Sequence, residues 1–272
     1  MVSIRRYFHI AIITILLSSC NRGAYVFTGH NSMSLNEKSQ ADSLIQYALN
    51  HEALYTLCDT LKPMSSIQLF RLPLLSSDAM IRQNAIDSLQ KLYSLVNKMN
   101  TKELCFILNP FERNDGDYKN LELYVVRKSE VRKMILRNAS FYARMGIAEH
   151  ASMGSVLSIT EFENKYDRWR SYGYLFGYPS HAVDFFVEAG RSQDSTGQFV
   201  QRNFFAIPVF AGKTGYFTYA IPKNYQPTQI DSMLYHKAMY TLDRYRTIKE
   251  KNNKASAIRL LKKMNHKRRR DE

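Results

Sequence analysis

Asn203-Phe204-Phe205-Ala206-Ile207-Pro208-Val209-Phe210, then Ala211-Gly212-Lys213-Thr214, then Gly215-Tyr216-Phe217-Thr218-Tyr219-Ala220-Ile221: in this stretch the hydrophobic period changes. The two outer runs are rich in aromatic and β-branched residues, and a short loop with glycine joins them, so the stretch predicts a β-hairpin. Gly212-Lys213-Thr214-Gly215 echoes the end of a phosphate-binding loop. It lacks the upstream glycine and the helix that such a loop needs, and reads as a turn.

Outward from the hairpin the pattern is helical. On its C-terminal side Thr228-Gln229-Ile230-Asp231 opens a helix carried by Leu234, Ala238, Leu242, Tyr245 and Ile248. On its N-terminal side Ser180 caps a helix that stops at Gly190, Thr160-Glu161-Phe162-Glu163 reads as a capping box for a helix through Phe176, and Ser129 caps one through about Arg144. Two amphipathic helices are carried by residues 44–61 and 81–99, and strands are predicted at Ile67–Leu72, Leu104–Leu108 and Leu121–Val126. Asn109-Pro110 and Asn114-Asp115-Gly116-Asp117 read as loops. The expected fold is α+β, mostly helical, with a small antiparallel sheet that includes the C-terminal hairpin, in one globular domain over residues 38–248. The composition agrees: 272 residues, 45% hydrophobic and 23% charged, exclude disordered and collagen-like classes.

Upstream, Arg5 and Arg6 precede an eleven-residue apolar run, Tyr7–Leu17, too short to cross a bilayer. It closes on Leu17-Ser18-Ser19-Cys20. This resembles the lipobox of bacterial lipoproteins. The resemblance implies a leader (residues 1–19) that is removed, a Cys20 that carries acyl chains and attaches the protein to a membrane, and a tether over residues 20–37. Two or three acyl chains hold a protein stably where one does not. Lipoproteins kept at the inner membrane commonly carry Asp beside the cysteine, and Asn21 stands there instead, so the resemblance implies the outer membrane. The first acidic residue after Cys20 is Glu37, which by the same resemblance favours a domain facing the periplasm. Asp42-Ser43-Leu44, Asp59-Thr60-Leu61, Asp87-Ser88-Leu89, Asp194-Ser195-Thr196 and Asp231-Ser232-Met233 resemble an O-glycosylation acceptor used in Bacteroidota, but read more simply as helix caps and helix-face residues.

Without Arg5 and Arg6 the chain keeps 36 basic against 24 acidic residues. Residues 249–272 hold ten Lys or Arg and three acids and read as a basic C-terminal tail, with Ile258, Leu261 and Met264 as a narrow apolar stripe. In the cytosol such a run would point to nucleic acid. Export removes that partner and leaves anionic surfaces, to which the tail is expected to add affinity. Cys58 and Cys105 are placed by export where disulfides persist; they read either as a pair closing a long loop or as two buried thiols.

Sixteen of the 34 aromatic residues fall between Phe162 and Ile221. Tyr172, Tyr174 and Tyr178 alternate around Gly173 and Gly177 and are the rings expected to reach a surface and stack on sugar or peptide. His181 and Asp184 lie one turn apart on a helix face beside them. No cofactor or metal motif occurs, and no catalytic residue stands out. The functional expectation is a non-enzymatic binding or scaffolding module for an envelope protein or polymer. The alternative is an envelope hydrolase whose catalytic residues are dispersed along the chain.

Overall fold

The computed structural model of the chain describes residues 27–271 apart from Lys213, with side chains as far as His266. The leader and Cys20 lie outside those residues. In chain order the elements are α1 (Leu35–Asn50), α2 (Leu54–Leu57), β1 (Met64–Leu72), α3 (Ala79–Lys98), β2 (Leu104–Asp115), β3 (Tyr118–Arg127), α4 (Lys128–Arg137), α5 (Ala139–Arg144), α6 (Met153–Phe162), α7 (Lys165–Leu175), α8 (Ser180–Thr196), β4 (Arg202–Ile207), β5 (Phe217–Pro222), α9 (Gln229–Glu250) and α10 (Ala257–Asp271). The protein is α+β, 54% helical and 18% strand.

The hairpin decoded from residues 203–221 is present: β4 and β5 pair antiparallel from Arg202↔Pro222 to Ile207↔Phe217. The ladder stops at Pro208, which has no N–H to donate. Phe217, Tyr219 and Ile221 are buried, whereas Phe204 on β4 is exposed. The second sheet is three-stranded and antiparallel, ordered β1-β3-β2. Along β3 the side chains alternate between two cores: Leu121, Leu123 and Val125 enter one cluster with α1, α9, α10 and the hairpin, while Tyr124 and Val126 enter another with α4 to α7.

Several boundaries differ from expectation. Asn109 and Pro110 stay in the ladder instead of forming a loop; a register shift between Pro110 and Asn114 absorbs the proline, and the turn falls at Gly116, whose φ is 56°. The helical pattern over 44–61 is divided at His51–Ala53 into α1 and α2. Ser129 is not a cap: its N–H and hydroxyl both donate to Glu103, and the helix starts one residue earlier. Thr160 to Phe162 close α6 rather than opening a helix; the true cap is Asn164, which accepts from Asp167 N–H at 3.2 Å. Helix α8 passes Gly190 and ends at Gly197, whose φ of 71° caps it. Gly190 serves packing instead: a Cβ there would lie 2.4 Å from the Trp169 ring. Ser43, Ser88 and Ser232 each donate back to a backbone carbonyl four residues earlier, as helix-face residues do.

Both ends of the fold reach further than the sequence indicated. Phe27 and Met33 are buried, and Thr28 and Gly29 donate to the carbonyls of Asn100 and Lys98 at 2.7 and 3.1 Å, so the folded part begins by residue 27 rather than 38. Residues 257–271 are not a solvated tail. Ala257, Leu260, Leu261, Met264 and Asn265 of α10 are buried against α1, and Asn265 Nδ2 donates to the Leu57 carbonyl at 3.1 Å. The Asp42 carboxylate accepts from the N–H groups of Ala257 and Ile258 at 3.1 and 2.9 Å, occupying the positive end of that helix. The apolar stripe therefore packs on the protein's own core. Of the two cysteines, Cys105 carries a free thiol and packs on the second cluster, while Cys58 is buried in the first.

Among the described residues Arg127 and Lys62 are the most deeply buried basic side chains. Arg127 donates to the carbonyls of Thr56 and Leu57 at 3.0 Å, at the C-terminal end of α2. Lys62, wholly buried, pairs with Glu52 at 2.5 Å, and its ammonium lies 4.4, 5.2 and 5.8 Å from the ring centres of Phe217, Phe176 and Tyr178.

Candidate functional site

Strand β2 carries Phe111 and Arg113, β3 carries Tyr124, α6 carries Glu161, and α7 carries Lys165, Arg168, Trp169 and Tyr172, with Phe176 as its C-cap; together they line an open cleft of about 580 Å³. Positions 165, 168, 169, 172 and 176 follow helical spacing, so one face of α7 forms a whole wall. Tyr172 and Phe176 stack with ring centres 5.9 Å apart and planes 19° apart, and Tyr124 lies 6.4 and 6.3 Å from them. Behind this wall a second cavity of about 300 Å³ opens against α8, β4 and β5, sharing Trp169, Tyr172 and Phe176.

The floor of the cleft is polar. Glu161 is buried and accepts from the Tyr172 hydroxyl at 2.6 Å and the Glu112 N–H at 2.9 Å. Burial, the neighbouring Tyr124 and the Glu161 carboxylate push the Tyr172 phenol up, so it stays a hydrogen-bond donor. The rim is basic: Arg168 donates to Glu112 and to the Glu161 carbonyl, Lys165 pairs with Asp194 at 2.5 Å and lies 4.9 Å from the Trp169 ring centre, and Arg113 is exposed. This arrangement offers flat apolar faces beside cations, which suits stacking and anion recognition.

The residues singled out in the sequence are distributed unevenly around this cleft. Tyr172 lies in it. Tyr174 packs edge-on to Phe141 and accepts from Arg170; Tyr178 stacks on Phe217 with centres 5.8 Å apart. Both are half-buried, because the tight packing of Gly173 on Val183 and of Gly177 on Pro63 draws the segment inward, and Tyr178 lines the second cavity. His181 and Asp184 do not converge. Asp184 pairs with Arg170, whereas His181 Nε2 lies 2.9 Å from the Tyr225 hydroxyl and 3.4 Å from Asp231. Asp231 also accepts from Tyr219, Tyr225 and Thr228; burial opposes its charge, but these donors hold its pKa at about 2, so it ties α9 to β5 and α8. Among the described residues no group of three His, Cys, Asp or Glu side chains could hold a metal ion. Phe111 and Arg113 went unnoticed in the sequence because the strand was expected to end at Leu108; Tyr124 fell inside a predicted strand and Glu161 inside a supposed capping box, and neither position carried a sign of the cleft.

A separate cleft of about 620 Å³ holds Glu52, Glu122 and His51 with Tyr47, Tyr178 and Tyr216. His51 stacks on Tyr47, ring centres 3.9 Å apart, with Nδ1 2.8 Å from the Tyr47 carbonyl. Burial raises the pKa of Glu122 to about 7; a hydrogen bond with Ser66 opposes this, and the Glu52 charge adds to it. A carboxyl whose folded pKa lies above its unfolded value favours the folded state below the unfolded pKa, and that contribution is lost as pH rises through the folded one. Glu122→Gln is therefore expected to leave stability nearly unchanged at pH 4.5 and to raise the melting temperature at pH 8. Allowing for the side chain's partial exposure, the gain is on the order of 1 kcal/mol, roughly 2–4 °C in a chain of this size. Thermal unfolding of both forms at the two pH values checks this; equal gains at both would refute it.

No family model, no curated protein and no solved structure matches the chain.

Proposed function

We propose that the protein is a lipid-anchored cell-envelope module that binds an anionic, sugar-containing polymer in the cleft between β2, β3 and α7. The observation that supports this reading is the wall of Trp169, Tyr172 and Phe176 facing Phe111 and Tyr124, rimmed by Arg113, Lys165 and Arg168. Rings stack on the flat faces of sugars, the cations donate hydrogen bonds to carboxylate or phosphate, and an open cleft admits a chain. The anchor rests on Leu17-Ser18-Ser19-Cys20, with the outer membrane and a periplasm-facing domain as its proposed place.

Trp169 is the chain's only tryptophan and lies in the cleft, so its fluorescence reports occupancy. Titration with acidic envelope oligosaccharides is expected to give a saturable change, weakened in Phe111→Ala and in Arg113→Glu and absent with neutral sugars. No saturable change with any saccharide would turn the assignment to a protein partner. Labelled palmitate should enter the wild type and not Cys20→Ala; label persisting in that variant would refute the anchor.

A second reading, an envelope hydrolase, is favoured by one observation: Glu122, a carboxyl with pKa about 7, shares a cleft with the ion-paired Glu52. Unlike protonation in two carboxyls is what acid–base cleavage of a glycosidic bond uses. Release of reducing ends from envelope polymers, abolished in Glu122→Gln, would establish it.

A further inference from the structure

We infer that the end of the fold formed by Thr28–Leu35 and Lys98–Lys102 rests on anionic lipid headgroups, with the aromatic cleft opening away from the bilayer. This rests on the lipid-anchored reading of Cys20.

Six residues separate Cys20 from Phe27. From Phe27 onward the chain is held by burial and by the Thr28–Asn100 and Gly29–Lys98 hydrogen bonds. A fully extended link from residue 20 to residue 27 spans at most about 25 Å. A tether over residues 20–37 would have allowed more than twice that. The short link keeps this end of the protein nearest to the acylated cysteine.

The surface at this end suits a lipid interface. Leu35 is 86% exposed, the most exposed of the large apolar side chains. Lys38 follows it one turn later in α1, and on the Lys98–Lys102 side of this end Lys102 is exposed and the Lys128 ammonium donates to the carbonyls of Thr101 and Lys102. Glu37 is paired with Lys98 at 2.6 Å, and Glu103, which accepts from Ser129, is the one carboxylate left against Lys38, Lys102 and Lys128. The unmatched charge is therefore positive, and an apolar side chain among lysines is the composition that seats on anionic headgroups.

The cleft lies towards the other end. Strand β2 starts at Leu104, beside Thr101, and reaches Phe111 and Arg113 seven and nine residues later. At about 3.3 Å per residue that is roughly 23–30 Å along the sheet. The apolar side of helix α10 is buried in the core and is not available to a bilayer.

The test uses the full-length acylated chain in vesicles of phosphatidylcholine and phosphatidylglycerol, with Cys105→Ser and a fluorophore on Leu35→Cys, Lys102→Cys or Arg113→Cys. Headgroup-located quenchers are expected to quench the labels at 35 and 102 several-fold more than the label at 113. Raised salt should reduce the difference as lysine attraction is screened. If the protein remains on the vesicles but the label at 113 is quenched as strongly as that at 35, the orientation is overturned. If the protein leaves the vesicles whether or not Cys20 is present, the anchoring reading fails instead.

Discussion

A chain ending at Lys251 is expected to lose its cooperative fold, or to melt more than about 10 °C below the full-length protein. The removed segment contains α10, and with it the buried side chains of Ala257, Leu260, Leu261 and Met264. Burying a Leu or Met side chain is worth about 1.5–3 kcal/mol, so three of them amount to a large share of the roughly 5–15 kcal/mol that holds a domain together. Truncation also strips cover from α1, leaves the Asp42 carboxylate without its two N–H donors, and deprives the Leu57 carbonyl of Asn265. At about 2–4 °C per kcal/mol for a chain of this length, the whole loss of about 4.5–9 kcal/mol corresponds to roughly 9–36 °C. Thermal unfolding followed by circular dichroism decides it: an unchanged melting temperature would mean that α10 is dispensable. Asp42→Ala should cost much less, about 1 kcal/mol, because it removes a cap and no core.

Glu52→Gln is expected to destabilise the protein by about 3–5 kcal/mol, since it leaves a buried ammonium without its counter-charge. Lys62 is enclosed by Phe176, Tyr178 and Phe217, and Glu52 at 2.5 Å is its ion-pair partner. Burial already lowers the Lys62 pKa against the opposing pull of Glu52. Removing that pull lowers it further. A lysine whose folded pKa is depressed penalises the folded state while both forms are charged; the penalty shrinks as pH rises through the folded pKa. The loss in Glu52→Gln should therefore be large at pH 6 and smaller at pH 9. Lys62→Met removes the charge along with its desolvation cost, and the double variant should recover most of the stability lost by Glu52→Gln. Denaturant melts of the three variants test this; a double variant no more stable than Glu52→Gln would show that the pair's charge is not what matters.

How far the sequence could be read depended on the range of the interaction that formed each feature. The β4–β5 hairpin and the start of α9 are local: a change of period around Ala211 and Gly212 sets the first, and Thr228 with Asp231 closes a capping box within four residues. Thr160–Glu163 had the same cap pattern and formed none, because Asn164 with Asp167 offered a cap directly before the Lys165–Leu175 helix that packs on α8. The Tyr172-to-Tyr178 segment was recognised as aromatic, but which ring would stand in a cleft depended on β2 and β3 lying opposite. Phe111 and Tyr124 are 48 residues or more away from Tyr172 in the chain, and no spacing rule connects them.

The sequence by itself determined the α+β class, the placing of most helices and strands, and the lipobox-like Leu17–Cys20 segment, because each is written in residues close enough to interact along the chain. The tertiary structure alone decided that α10 belongs to the core, that Cys58 and Cys105 enter different cores, that Lys62 is buried on Glu52, and that a single face of α7 meets β2 and β3 in a cleft. Burial and long-range pairing depend on which surfaces meet, and an amphipathic helix such as α10 presents the same pattern whether its apolar side finds a membrane or its own domain.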